Sequence, residues 1–271
     1  MAYAKINSVT NANMAKVSNV AKAALGKIGS IDAPSAAFAD GYSLLFDGAN
    51  DYVDIDSAAG DMPSATGSIS YWIKLIGEDS NYIFEIKADA NNYIAGAYNT
   101  FGEYAWAGTY FGGVWKSSNL GVAQELQGDG KWHHVVMTWI DGSGAGELIC
   151  YFDGDQDGVQ INTITGLGTF SGTPSTFFIG RLNAHGGSPM EGNVNDFAVW
   201  SSILTAAEAA AIYNGGTPID LTTDSGDYVS SGDLVGYWKF EENTGTTVAD
   251  SSTNSNDGSL VNGTAFEAET P

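Results

Sequence analysis

The run Asp153-Gly154-Asp155-Gln156-Asp157-Gly158 carries carboxylates at loop positions 1, 3 and 5 and glycine at position 6. An EF-hand opens this way, because a hard cation such as calcium takes oxygen ligands and the glycine permits a sharp turn. Position 12 is Ile164 in place of the bidentate glutamate, and no helical pattern flanks the loop, so a plain turn between strands competes with the ion site. The histidines offer less. His133 and His134 sit in the strand-like run WHHVVMTW and His185 in a glycine-rich loop, an arrangement that suits neither a nucleophile with its base nor a zinc centre. Cys150 is the single cysteine; it excludes an intrachain disulfide framework and reads as a small buried residue.

Aromatic residues carry the third signal. Tyr93, Tyr98, Phe101, Tyr104, Trp106, Tyr110, Phe111 and Trp115 are interleaved with glycine and asparagine. Exposed rings offer flat apolar faces to the C–H side of a sugar, and asparagine and aspartate bond its hydroxyls. Strand alternation sends half of any such set into the core. Tyr104 and Trp106 share a parity and are expected to be buried together; Tyr98, Phe101, Tyr110 and Trp115 are the candidate glycan contacts.

Strands must position these side chains. Residues 129–153 hold two apolar runs, 132–140 and 147–152, joined by the turn Asp141-Gly142-Ser143-Gly144-Ala145-Gly146, the sequence form of an antiparallel hairpin. In the first run Trp132, Val136 and Ile140 occupy one parity and Val135, Met137 and Trp139 the other, which predicts an inner strand covered on both faces. Tyr52, Asp54 and Asp56 alternate with Val53 and Ile55, as in a half-buried strand. Further strands are expected at 68–76, 82–87, 92–98, 103–109, 175–180, 193–200 and 234–240, and their spacing signals a sandwich or barrel. One short helix interrupts them. Thr205-Ala206-Ala207-Glu208 forms a capping box and Asn214-Gly215-Gly216 ends the helix, which is expected to plug a sandwich edge.

Composition agrees. Thirty-five glycines, 13 tyrosines, 12 phenylalanines and 7 tryptophans with 15% charged residues describe short strands and tight turns. A chain of 271 residues buries one large core or two small ones. The net charge of −22 repels nucleic acid and anionic membrane surfaces, so neither is an expected partner, and no stretch is long and apolar enough to span a bilayer. The first 31 residues differ, with Lys5, Lys16, Lys22 and Lys27 and no carboxylate. There Ile6, Val9, Val17, Val20, Ala24 and Ile28 form one helical stripe, or the segment is a basic tail. No apolar h-region follows the lysines, so synthesis in a cytoplasm without a signal peptide is expected. An arm and linker over 1–40 and a single body over 41–271 is the expected organisation.

The segments SLLFDGANDYVDI, SISYWIKL, DGKWHHVVMTWIDG, GELICYFDGD, FFIGR, GNVNDFAVWSSILTAAEAAAIYNGG and LVGYWKFEENTGTTVADSSTNSNDGSLVNG, in this order, resemble the laminin G-like, concanavalin A-like lectin/glucanase jelly roll. The resemblance implies an all-β, two-sheet antiparallel sandwich over most of residues 42–265. In commoner members the WKFEENTG-type segment precedes the FDG segment. Here it follows the helix, which implies rotated strand order in one domain or, alternatively, a truncated second repeat. Residues 1–28 also resemble the leaders of tailed-phage structural proteins, which implies a virion protein docked to other virion proteins through residues 1–34.

This resemblance carries expectations for sites. Family members frequently bind calcium at the sandwich rim, and the matching positions are Asp47, Asn50 and Asp51 with Asn195 and Asp196; Asn195 stands where aspartate is usual and removes a charge. The glucanase branch sets its acids on one strand as E-x-D-x-x-E or E-x-D-x-E. Glu85 and Glu191 stand outside any such pattern, so no catalytic residue is expected. The expected function is a non-enzymatic virion protein displaying a surface for host carbohydrate; capsid decoration or fibre assembly, with copies of the chain packed together, and a glycan hydrolase of the same fold are the alternatives.

Overall fold

The computed structural model describes residues 38, 40–76, 81–99, 104–119, 129–142, 146–155, 162–182 and 189–271; at 81, 98, 99, 104–106, 118, 119, 155 and 162 it describes the backbone alone. The expected N-terminal arm lies outside the described residues. In chain order the strands are β1 (Ser43–Asp47), β2 (Tyr52–Asp54), β3 (Thr66–Leu75), β4 (Asn81–Asp89), β5 (Asn92–Asn99), β6 (Tyr104–Phe111), β7 (Val114–Asn119), β8 (His133–Ile140), β9 (Gly146–Phe152), β10 (Asn162–Leu167), β11 (Thr176–Ile179), β12 (Glu191–Trp200), β13 (Leu234–Trp238), β14 (Thr247–Val248), β15 (Gly258–Val261) and β16 (Ala265–Glu267), with helix α1 (Ala206–Tyr213) between β12 and β13.

They form two antiparallel sheets. Sheet A runs β10-β9-β8-β3-β12-β1-β16 with β13 also on β12, and sheet B runs β14-β15-β2-β11-β4-β5-β6-β7. Alternation builds the core between them: Leu44, Phe46, Ile69, Ile73, Val135, Met137, Trp139, Val194, Phe197 and Val199 point inward from sheet A, and Val53, Phe84, Ile86, Ile94, Phe111, Phe177 and Ile179 from sheet B. The two-sided apolar run at β8 behaves as expected. It lies between β3 and β9, and its other parity, through Val136, enters a second cluster on the outer face of sheet A.

That second cluster corrects the expected position of the helix. Ala209 and Ile212 of α1 pack with Leu204, Leu221, Tyr228 and Leu234 on Tyr151, Ala198, Trp200 and Tyr237, so the helix and the segment after it cover a sheet face, not an edge. The capping box is formed: the Glu208 amide donates to Thr205 Oγ1 at 3.2 Å and the Thr205 amide to Glu208 Oε2 at 2.9 Å. Glu208 Oε1 also accepts from the Ser230 hydroxyl, tying the following segment to the helix start. Asn214 ends α1 in the left-handed conformation.

The last segment contributes to both sheets. β13 pairs with β12, β15 with β2, and β16 with β1. Asp250 organises the loop between β13 and β15, accepting from the Tyr237 and Asn256 amides at 2.8 Å each, while Trp238 Nε1 donates to the Asn256 carbonyl. Residues 38–271 form one compact unit.

The paired histidines of β8 have opposite environments. His134 is buried beside the stacked Trp72 and Tyr213 rings with Nε2 2.7 Å from Ser70 Oγ, and burial pulls its pKa down to about 3, so it stays neutral. Neither Ser70 nor His134 is open to a substrate, which makes the pair structural. His133 stacks on Phe152 and reaches Asp153 at 2.8 Å and Asp129 at 3.4 Å. Burial opposes its protonation, but the Asp153 hydrogen bond and the two carboxylate charges outweigh it and raise its pKa. A raised folded pKa stabilises fully below the unfolded value, about 6.5, and ceases to do so as pH rises through the folded value. Chemical denaturation of wild type and His133→Gln across pH 5–9 is therefore expected to show a gap that is widest at low pH and shrinks as pH rises. Replacing Thr205 by alanine is expected to cost about 1 kcal/mol in the same assay.

Candidate binding face

α1 and the segment after it cover the outer face of sheet A over β8, β9, β12 and β13, whereas no helix covers the outer face of sheet B among the described residues. The register there puts outward side chains of successive strands side by side: Lys87 of β4 faces Tyr93 of β5, Tyr93 faces Tyr110 of β6, and Tyr110 faces Trp115 of β7. The rings form a cluster, with centroids 5.3 Å apart for Tyr93–Tyr110, 6.0 Å for Tyr93–Trp115 and 6.3 Å for Tyr110–Trp115. Gly108 makes room for it, since a Cβ there would stand 2.8 Å from Trp115 Cη2. Trp115 remains 39% exposed, and both tyrosines are half-buried.

Two of the four expected sugar contacts, Tyr110 and Trp115, are thus neighbours. Tyr98 pairs with Ala105 in the backbone of β5, with its side chain outside the described part, and Phe101 lies outside the described residues, as do the side chains of Tyr104 and Trp106. Tyr93, the third ring of the cluster, was visible in the sequence among the interleaved aromatics, but only the register of three strands selects it.

The face continues across β4 to β11 and β2. Glu85 is buried and lies 3.7 Å from Lys87, and after burial itself its negative charge is the next cause raising the pKa of Tyr93. Beyond Glu85, Phe178 of β11 meets Tyr52 of β2 edge-on at 5.2 Å. The Arg181 guanidinium lies over both rings, 3.8 Å from the Tyr52 centroid and 4.4 Å from that of Phe178. Sequence patterning gave no reason to associate these residues, which come from four separate segments.

The five expected calcium positions do not form one site. Asp47 pairs with Glu191 in the β1–β12 ladder, whereas Asn195 stands four residues further along β12, roughly 13 Å away at the strand rise. Asp47, Asn50 and Asp51 shape a turn. Asp47 Oδ1 accepts from the Ala49 amide at 2.8 Å, buried Asp51 accepts from the Asp47 amide, and the Asn50 carbonyl accepts from Asn262 Nδ2 at 2.7 Å. Asn195 and Asp196 instead occupy a bulge in β12, where the register against β3 shifts and Asp196 takes φ 47°. Asn195 Nδ2 donates to Asp40 at 2.7 Å and the Tyr237 hydroxyl donates to Asp196. The EF-hand-like run is engaged elsewhere too: Asp153 accepts from His133 and from the His134 amide, and residues 156–160 lie outside the described part. Among the described residues no group of three or more histidine, cysteine, aspartate or glutamate side chains is placed to hold a metal ion. The expected set does not fit calcium as a single centre.

The bulge joins the two ends of the body. Glu241, just after β13, accepts from the Gly41 and Tyr42 amides at 2.9 Å each, beside Asp40. Burial lifts the Asp196 carboxyl far above the usual range and lifts Asp40 to about 6; for Asp40 the neighbouring Glu241 adds to the rise and the Asn195 hydrogen bond opposes it. A carboxyl with a raised folded pKa favours folding below the unfolded value and loses that contribution as pH rises through the folded one. Asp40→Asn is therefore expected to melt at a higher temperature than wild type at pH 8, with the difference vanishing or reversing near pH 4.

Several solved structures share the fold. A putative carbohydrate binding protein from Bacteroides ovatus aligns with a TM-score of 0.55 and 16% identity over 85% of this chain, and the match spans 60% of that protein. The CBM40 of the Ruminococcus gnavus IT-sialidase, solved with alpha2,3 sialyllactose, aligns at 0.50 and 12% identity over 63% of this chain and 96% of its own. A heptameric SAP-like pentraxin from Limulus polyphemus aligns at 0.47 and 19% over 64% of this chain and 82% of its own. No curated protein matches the sequence. Residues 47–210, more than half of the chain, match the family described as concanavalin A-like lectin/glucanases, Laminin_G_3, and the chain belongs to that superfamily.

Proposed function

We propose that the outer face of sheet B recognises carbohydrate and that the protein is a non-enzymatic binding module. The observation that carries this reading is the cluster of Tyr93, Tyr110 and Trp115, exposed at its Trp115 end on a face that no helix covers among the described residues. Such rings present apolar area to a pyranose at little entropic cost, while Lys87, held by buried Glu85, supplies a polar group beside them. The two carbohydrate-binding proteins of similar fold named above support the reading at the level of fold alone.

Hydrolysis is the weaker reading of the same face. Glycosidases set two carboxyls on either side of one bond, about 5 to 9.5 Å apart. Here the register separates Glu85 from Asp54 by two strand spacings, roughly 10 Å, with Phe178 directly between them. Glu85 is moreover buried and paired with Lys87.

The display of this surface on a virion, with residues 1–34 docked to other virion proteins and host-surface glycan as the target, belongs to the same proposal and rests on the resemblance of the N-terminal segment.

Glycan-array binding of the full chain, followed by titration of the best hit, tests the binding function. Tyr110→Ala and Trp115→Ala are each expected to weaken binding about tenfold or more, with melting temperatures close to wild type because both rings lie on the outer face of sheet B, outside the core. Undiminished binding by both folded variants would remove the face from consideration.

A further inference from the structure

Arg181 is the only arginine in the chain and one of ten basic residues in a protein of net charge −22. In such an environment basic side chains ordinarily find carboxylates, and four of the five described lysines do: Lys74 with Glu269, Lys87 with Glu85, Lys131 with Asp129 and Lys239 with Asp220. Arg181 does not. Among the described residues its guanidinium makes no hydrogen bond or ion pair, and its Nε is buried without a partner. The carboxylates at hand are turned to the backbone: Asp54 accepts from the Asp56 amide at 2.9 Å and Asp56 from the Phe177 amide at 2.7 Å, and Asp56 feels the Arg181 charge without bonding it.

The side chain is nevertheless held in place. The rings of Tyr52 and Phe178 lie beneath the guanidinium, at 3.8 and 4.4 Å, which fixes its plane and leaves its in-plane donors for another acceptor. A stacked guanidinium presents a fork that matches the two oxygens of a carboxylate or of a sulfate. Its place relative to the ring cluster follows from the register. Phe178 faces Glu85 of β4, Glu85 faces Ala95 of β5, and Tyr93 stands two residues from Ala95 on the same face. Two strand spacings, roughly 10 Å, separate the strand under Arg181 from the strand that carries Tyr93. An oligosaccharide of a few residues spans that distance.

We propose that Arg181 selects acidic glycans: it receives the carboxylate or sulfate of one sugar while a neighbouring sugar of the same chain lies on Tyr93, Tyr110 and Trp115. This rests on the assignment of the sheet B face as the carbohydrate site. It adds the class of ligand, which an acidic protein would otherwise repel, and it gives the unpaired guanidinium its acceptor.

The test is binding of the full chain to oligosaccharide pairs that differ only in the charged group: sialyllactose and lactose, a glucuronic-acid-terminated disaccharide and its glucose counterpart, a sulfated and an unsulfated lactose. Wild type is expected to prefer the charged member of at least one pair by roughly tenfold or more. Arg181→Gln is expected to bring that ratio near one while keeping neutral-sugar binding, and Arg181→Lys to restore it in part, since lysine keeps the charge and lacks the fork. Trp115→Ala weakens both members equally. The carboxylate and sulfate arms identify which oxyanion is taken. Equal binding of charged and neutral members by wild type, or a preference that survives Arg181→Gln, overturns the inference and leaves the carbohydrate site standing. Absence of binding to every sugar, charged or neutral, overturns both.

Discussion

The structure depends on β12 being covered on both of its faces. Val194, Phe197 and Val199 close the core between the sheets, whereas Ala198 and Trp200 enter the cluster under α1. A strand apolar on both parities is stable only inside a layered stack, so sheet A requires a third layer on its outer side. The capping box of α1, the buried Ile212 and the following segment with Leu221, Tyr228 and Leu234 supply it. That side is thereby filled with structure. Sheet B has no such layer among the described residues, and its outward positions carry rings, a buried ion pair and an unpaired guanidinium instead of aliphatic side chains.

The bulge in β12 resolves a second demand of the same strand. β12 must pair with β1 along Glu191–Val194 and with β13 along Phe197–Trp200, on one side. Asn195 and Asp196 mark the change of partner, and the groups gathered there, Asp40, Glu241 and the Tyr237 hydroxyl, tie the entry to β1 to the exit from β13. Asp196, which resemblance assigned to an ion, is thus engaged in closing the body. Burial raises its pKa and that of its neighbour Asp40.

Much of the fold was legible. Period-two alternation located β3, β4, β5, β6, β8, β9, β11, β12 and β13 to within a few residues, and the helix was identified by its cap. β7 and β10 were missed because the largely polar runs Val114–Asn119 and Asn162–Leu167 lack an alternating apolar face. The candidate face was half legible. Tyr110 and Trp115 stood out by type, but Tyr93 joins them only through cross-strand register, and Arg181 reaches Phe178 and Tyr52 only because β11 and β2 are neighbours, although 124 positions separate Phe178 from Asp54 in the ladder they share. The separation of the two expected calcium motifs was illegible for the same reason: likeness placed them together, and the ladder of this chain sets them at opposite ends of β1.

The proposed function requires that ligand meet the outer face of sheet B and no other. Backbone amide shifts recorded by NMR, before and after addition of a glycan that the protein binds, test it most directly. Perturbations are expected to be confined to β4–β7 and to the neighbourhood of Tyr52, Phe178 and Arg181, with α1 and residues 217–233 unchanged. Shifts centred on α1, or on the turn at Asp47–Asp51 with β5 and β6 silent, would contradict it.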